Sequence, residues 1–375
     1  MEPTPLQQLA RTALAGVAPY EPGRPVEDVQ RELGLERVIK LASNEGPHPP
    51  FPAAVEAIRE AAALQRVYPD PGCWALRDAL SARLGVPAEA IMPGNGVDSI
   101  IKLLCLALLE PGDELAMAWP SFISWRQGTG VMGATLRTAA LGPDGAYDLD
   151  ALLEQITPRT KIAVVVSPNN PTGGAVAADA LERFLDALPG HVLPVVDEAY
   201  FEYLPAGSHD AVALVRAGRR LAVTRTFSKA YGLAGLRVGY MVAPPELLKL
   251  LGAVRNAFDV NQLAQVAATA SLSQADEILP GRMAEITAER GMVASGLRAL
   301  GLEPMPSSAN FLLVPVGSPE RANALNQALL HRGIIVRPAG PFGAPDALRI
   351  TIGHAHENAE MLVALAASLG EVGAP

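Results

Sequence analysis

The chain has 375 residues, 49% hydrophobic and 18% charged, so it can bury a large core, is no disordered polymer, and is long enough for two or three structural units. Its net charge of -9, from 39 acidic and 30 basic residues, argues against nucleic-acid binding, which calls for a basic surplus. Two cysteines, Cys73 and Cys105, make no disulfide framework, and 6 histidines show no HExxH spacing, so a reducing cytoplasm is expected and a metal is not.

The N-terminus has neither a basic start nor a continuous apolar run, which speaks against a signal peptide. The longest uncharged apolar run, near 103–109, is far short of the ~20 residues a spanning helix needs, so no membrane association is expected. Apolar spacing predicts helices over 53–65 and 73–84 and a more buried one over 97–109. Strands are then predicted at 114–119, 161–167, 191–197, 221–226 and 237–243. Runs such as Ile162-Ala-Val-Val-Val166 suit a sheet covered on both faces, hence an α/β architecture with mostly parallel strands. After Pro244-Pro245 a mainly helical stretch runs to about 300. Strands at 310–316, 333–337 and 347–352 and a closing helix at 357–369 suggest a second, smaller α/β unit, with the boundary near Pro244.

Polar groups collect where predicted strands end, which is where open parallel sheets bind ligands. The first group, Gly94-Asn-Gly-Val-Asp-Ser99, opens an apolar helix whose N–H groups suit a phosphate, although Asn95 could equally be an ordinary cap. Ser167-Pro-Asn-Asn-Pro-Thr-Gly173, Asp197-Glu-Ala-Tyr200 and Thr226-Phe-Ser-Lys229 follow three further strands. Thr226, Ser228 and Arg237 make a phosphate clasp, and Arg237 lies in an apolar segment, where an unpaired charge is costly. A partly desolvated Lys229 could form a Schiff base with an aldehyde, although a single lysine is more often a surface residue. Asp197 ends an apolar run, so its carboxylate is expected to be buried and to need a cationic partner such as a pyridinium nitrogen.

These segments, with Leu348-Arg-Ile-Thr-Ile-Gly353, resemble the fold-type-I, class-II-like aminotransferases. Pro19-Tyr-Glu-Pro-Gly23, Ile39-Lys-Leu-Ala-Ser-Asn-Glu45 and Tyr68-Pro-Asp70 narrow the likeness, which covers nearly the whole chain, to the histidinol-phosphate aminotransferases and their close relatives. The resemblance implies a large domain over 41–244 with a mostly parallel seven-stranded sheet. It also implies a smaller α/β domain formed by 245–375 and an N-terminal arm over 1–40. It implies pyridoxal 5'-phosphate as cofactor, with Lys229 as covalent anchor and base, and Asp197 at the ring nitrogen. Tyr200 and Asn170 would bond the ring oxygen, and Thr226, Ser228, Arg237 and amides at Gly96, Val97 and Asp98 the phosphate. Tyr68 and Tyr20 would reach across a homodimer, the first to the cofactor phosphate and the second over the substrate.

Arg349, Arg337 and Asn44 fall on the substrate side of that pattern, although Arg337 alone could be a strand-end surface charge. Arginine grips carboxylate or phosphate bidentately, so one site could serve both glutamate and histidinol phosphate in a ping-pong transamination. His354 and His356 read as loop residues rather than ligands. Two positions depart from the family pattern: Phe122 stands where a ring-stacking Tyr is usual, and Val97 and Ser99 replace a small residue and an acid. An aromatic amino-acid aminotransferase or a decarboxylase of a phosphorylated amino acid would keep the same core residues. A regulator built on this domain would need an added basic module that the sequence lacks. The 18 aromatic residues are few; Tyr20, Tyr68, Phe122 and Tyr200 fall on candidate positions, and Phe227 and Tyr231 flank the lysine, so the aromatics read as reserved for the pocket.

Overall fold

The computed structural model describes residues 9–19 and 22–373. Its strands, in chain order, are β1 (Ile39–Lys40), β2 (Ile91–Gly94), β3 (Glu114–Ala118), β4 (Thr135–Ala139), β5 (Thr160–Val166) and β6 (Leu193–Asp197). They continue with β7 (Ala222–Thr226), β8 (Gly239–Val242), β9 (Phe311–Pro315), β10 (Ile334–Ile335), β11 (Arg337–Pro338) and β12 (Ala347–Thr351). Seven form one sheet in the order β2-β8-β7-β6-β5-β3-β4, with β8 antiparallel to both neighbours and the other pairings parallel. This is the expected mostly parallel sheet.

Its central strands are apolar on both faces because helices cover both: from Ile162 to Val166 no residue of β5 is more than 2% exposed. The helix Gly96–Leu108 lies along β8 and packs on the helix Ile123–Met132. The helix Gln262–Ser273 packs on Pro52–Ala62 and Trp74–Leu84. A three-stranded antiparallel sheet, β11-β12-β9, and the parallel pair β1-β10 lie outside the large sheet. Because β1 pairs with β10, the segment around Ile39 is tied to strands more than 290 residues later, through Ile39 opposite Ile334.

Several elements were not expected from the sequence, and three show why. The strand β4 is an edge strand, largely accessible, whose polar Thr-Leu-Arg-Thr pattern gives no apolar run. β2 is only four residues long and contains Pro93. The helix Ile123–Met132 holds Gly128 and Gly130, poor helix formers, and is secured by burial of Trp125 and Thr129. The expected strand 333–337 is broken at Val336 into β10 and β11, which serve different sheets. His354 ends the loop before the helix Ala355–Val372, as expected, and caps it in a reciprocal arrangement with Glu357, whereas His356 lies in the first turn of that helix rather than in a loop.

Candidate active site

Strand register explains why distant motifs meet. Thr226 of β7 and Gly94 of β2 both lie opposite Gly239 of β8, so the Thr226–Lys229 loop, Arg237 and the start of the helix Gly96–Leu108 share one sheet edge. Val166 and Asp197 are partners on β5 and β6, which brings the Ser167 loop to the same edge.

One corner of this edge is built for an anion. The Thr226 hydroxyl donates to Ser228 Oγ at 3.0 Å and accepts the Ser228 amide at 3.1 Å, and Arg237 Nη1 donates to Ser228 Oγ at 3.4 Å. Arg237 Nη2 lies 3.3 Å from Asp98 Oδ2, and Ser124 donates to Asp98 Oδ1 at 2.6 Å. The Asn95 side chain makes no capping bond, so the helix start is not closed by its own cap. Gly96 has φ +73°, and a Cβ there would stand 2.6 Å from Arg237 Nη2. A side chain is thus excluded where helix start and guanidinium converge. Arg237, in an apolar segment where a charge needs a partner, is paired with Asp98 and 45% exposed, on a left-handed backbone with φ 57°.

Asp197 is fully enclosed. Trp125 Nε1 donates to its Oδ2 at 3.0 Å, whereas its Oδ1 is buried with no hydrogen-bond partner. Burial pushes the carboxyl up to about 6. An acceptor this costly to leave unpaired fits a protonated ring nitrogen, whose N–H would satisfy it. Trp125 gives no sequence signal, since it lies on a helix without apolar periodicity.

Lys229 Nζ lies 3.3 Å from the Ser43 carbonyl and 5.7 Å from the centre of the Tyr200 ring. Burial, then the nearby Arg349 charge, lower its ammonium to about 8. Asn44 Nδ2 donates to Tyr200 Oη at 2.9 Å, and the other end of the Asn44 amide accepts from Thr351 Oγ1 at 3.1 Å. Asn44 therefore spends its side chain holding Tyr200 in place, from a left-handed backbone with φ 55°. Arg349 Nη1 donates to Asn170 Oδ1 at 2.5 Å and Nη2 to the Ala42 carbonyl at 2.8 Å.

The two arginines expected on the substrate side are paired across the small sheet, Arg337 of β11 opposite Arg349 of β12. Their guanidinium carbons lie 5.6 and 4.8 Å from the Phe342 ring centre, and both side chains are buried. Arg337 is thus no surface charge. Two guanidinium groups packed on one ring gather positive charge at this end of the small sheet.

Phe122 caps the helix Ile123–Met132 half-buried against the core, next to Ser121, which bonds Tyr147 and Asn169 at 2.7 Å each. That polar cluster was not foreseen. Tyr68 is 80% exposed and stacks on Phe258, with ring centres 4.4 Å apart. Tyr20 lies outside the described residues. Phe227 and Tyr231 correct the expectation that the aromatics are reserved for the pocket: both are buried in the core, in contact with Tyr240 and Phe51 respectively. Among the described residues no cluster of His, Cys, Asp or Glu could hold a metal ion, and no helix is long and apolar enough to cross a membrane.

The seven-stranded sheet, the lysine at a strand end and the buried carboxylate opposite an anion cradle define an aminotransferase-like protein. The model of the family "Aminotransferase class I and II" matches residues 36–366, so the chain belongs to that family and is an aminotransferase. It is 44% identical over 367 residues to the histidinol-phosphate aminotransferase of Moorella thermoacetica, covering 97% of this chain and 94% of that protein. It is 43% identical over 359 residues to the protein of the same name from Anaeromyxobacter sp. (strain Fw109-5), covering 95% and 98%. Among solved structures, the histidinol-phosphate aminotransferase of Sinorhizobium meliloti in complex with pyridoxal-5'-phosphate superposes with a TM-score of 0.89 at 27% identity, covering 97% and 98%. A double mutant of Thermus thermophilus aspartate aminotransferase superposes with a TM-score of 0.83 at 25% identity, covering 96% and 99%.

Proposed function

We propose that this chain is a pyridoxal-phosphate-dependent aminotransferase that exchanges the amino group of L-histidinol phosphate with 2-oxoglutarate, forming imidazole-acetol phosphate and L-glutamate in histidine biosynthesis. The observation that carries the substrate assignment is the opposed pair Arg337 and Arg349, two buried guanidinium groups suited to a phosphate or carboxylate. The relatives' names agree with it.

In this reading Lys229 would be the covalent anchor of the cofactor, Asp197 would accept from its ring nitrogen, and Phe122 would stack on the ring. Tyr200 and Asn170 would bond its ring oxygen. Thr226, Ser228, Arg237 and the amides at Gly96, Val97 and Asp98 would hold its phosphate. Bound there, the cofactor supplies an aldehyde that captures amines and a ring that withdraws electrons. Once the amino donor had taken its place on the cofactor, the freed Lys229 Nζ would take the proton from the donor's α-carbon and deliver it to the cofactor carbon that it had held, the reverse half running the other way. Asp197, kept from water, would hold its charge against the protonated nitrogen. Asn44 orients Tyr200, and Arg349 and Arg337 fix the substrate anion.

Residues 41–244 would form the large domain, with 1–40 and 245–375 as arm and small domain. A homodimer in the cytoplasm completes the reading, with Tyr68 of the partner subunit at the phosphate and Tyr20 of the partner subunit over the substrate. A substrate panel tests the assignment: histidinol phosphate, phenylalanine and tyrosine, each with 2-oxoglutarate, and threonine phosphate for decarboxylation. Highest kcat/KM with histidinol phosphate is expected; a higher value with phenylalanine would retain the enzyme class and overturn the substrate.

A further inference from the structure

We propose that Glu198 and Arg225 are positioning residues for the transamination site, their buried ion pair clamping the ends of β6 and β7 so that Asp197 and the Thr226–Ser228 hydroxyls keep a fixed separation; this rests on the cofactor reading above. Successive side chains on a strand point to opposite faces. Asp197 and Thr226 are turned to the pocket, so their neighbours Glu198 and Arg225 meet on the far side. There Arg225 Nε and Nη2 reach Glu198 Oε2 at 2.8 and 2.7 Å, and Nη2 also reaches Asp210 Oδ1 at 2.7 Å. Glu198 Oε1 accepts the Ala211 amide at 2.9 Å, and His209 Nε2 lies 3.5 Å from it. The guanidinium sits 3.4 Å over the Phe201 ring. Glu198 is 0% and Arg225 4% exposed.

The placement matters because the backbone ladder ends here. The last matched pair of β6 and β7 is Asp197 with Thr224, followed by one bond from the Glu198 amide to the Thr224 carbonyl at 2.9 Å. Beyond it β7 continues only with β8, through Thr226 opposite Gly239. The side-chain pair therefore continues the connection at the point where the two cofactor-binding strand ends would otherwise separate. Stability is a poor explanation for it, since a buried ion pair is commonly no better than a well-packed apolar pair. A planar guanidinium holding two carboxylate oxygens through three N–O contacts, with a ring beneath it, fixes alignment in a way that apolar contacts do not. A site of this kind tolerates displacements of only about 0.5 Å.

The test is the double variant Glu198→Gln/Arg225→Met, which removes both charges together, studied beside Arg225→Lys, which keeps the charge and loses the fork. Cofactor affinity is read by titrating the cofactor-free protein, thermal midpoint without cofactor reports the fold, and kcat is compared with KM for the amino donor. The double variant, folded with a parent-like midpoint, is expected to bind cofactor about tenfold more weakly and to lose about tenfold or more in kcat, with KM little changed, and Arg225→Lys to show a smaller loss of the same two. Parent-like affinity and kcat in a folded variant, with only the midpoint moved, would overturn the proposal. A parent protein that takes up no cofactor would instead sink the underlying reading.

Discussion

At the scale of single residues, the site is a set of groups held in electrostatically costly states that a ligand would relieve. Asp197 shows this most clearly. Its carboxyl is raised by burial from the ordinary value near 4 to about 6, so the folded, cofactor-free protein holds a proton there that the unfolded chain releases. Stability of that form therefore falls as pH rises from about 4 to 6, and the penalty is fully present above 6. Asp197→Asn is expected to stabilise the cofactor-free protein by about 2–3 kcal/mol at pH 7.5, to make no difference below about pH 4, and to cripple transamination. Chemical denaturation at several pH values checks it; a destabilised variant at pH 7.5 would contradict it. For Lys229 the shift runs the other way, so cofactor capture, which needs the neutral amine, should speed up with pH and level off above about 8. Arg349→Lys should raise KM for glutamate and for histidinol phosphate together, by about 10–100-fold, because both anions lose the same fork. A rise for only one would show that the substrates use separate arginines.

At the scale of elements, strand register does the assembling. Gly94, Thr226 and Gly239 share a line across β2, β7 and β8, and that line places helix start, hydroxyls and Arg237 around one point. Gly96→Ala would put a methyl 2.6 Å from the Arg237 guanidinium on a backbone with φ +73°. It should weaken cofactor binding about tenfold or more while leaving the large sheet intact, as titration with circular dichroism would show. Sequence reading located β5, β6, β7 and β12 within two residues, β5 and β6 because their apolar runs are nearly continuous; Asp197 and Lys229 stood out because they close or follow predicted strands, whereas Arg349, inside β12, was singled out only through the motif's resemblance to the family. It missed the helix Ile123–Met132, and with it Trp125, because glycines interrupt the helical pattern and only tertiary burial holds it. Arg225 and Glu198 escaped for a related reason: single charges inside apolar strands carry no signal until their partners, here 27 residues apart, are brought together.

At the scale of the whole molecule, the net charge of -9 says little about ligands, because positive charge is gathered locally at Arg237, Arg337 and Arg349. Tyr68, exposed in the single chain and stacked on Phe258, is a group whose proposed role needs a second copy. Mixing Tyr68→Ala subunits with Lys229→Ala subunits should yield heterodimers with one intact site and activity above either parent preparation. No gain on mixing would place Tyr68 outside the partner's site. The central claim, that Lys229 and its surroundings carry an amino group from histidinol phosphate, is tested most directly by a half-reaction. Histidinol phosphate alone, added to the cofactor-loaded protein, should abolish the visible absorption band of the lysine-bound cofactor, and 2-oxoglutarate should restore it. An unchanged band on adding histidinol phosphate, under conditions where glutamate abolishes it, would contradict the account.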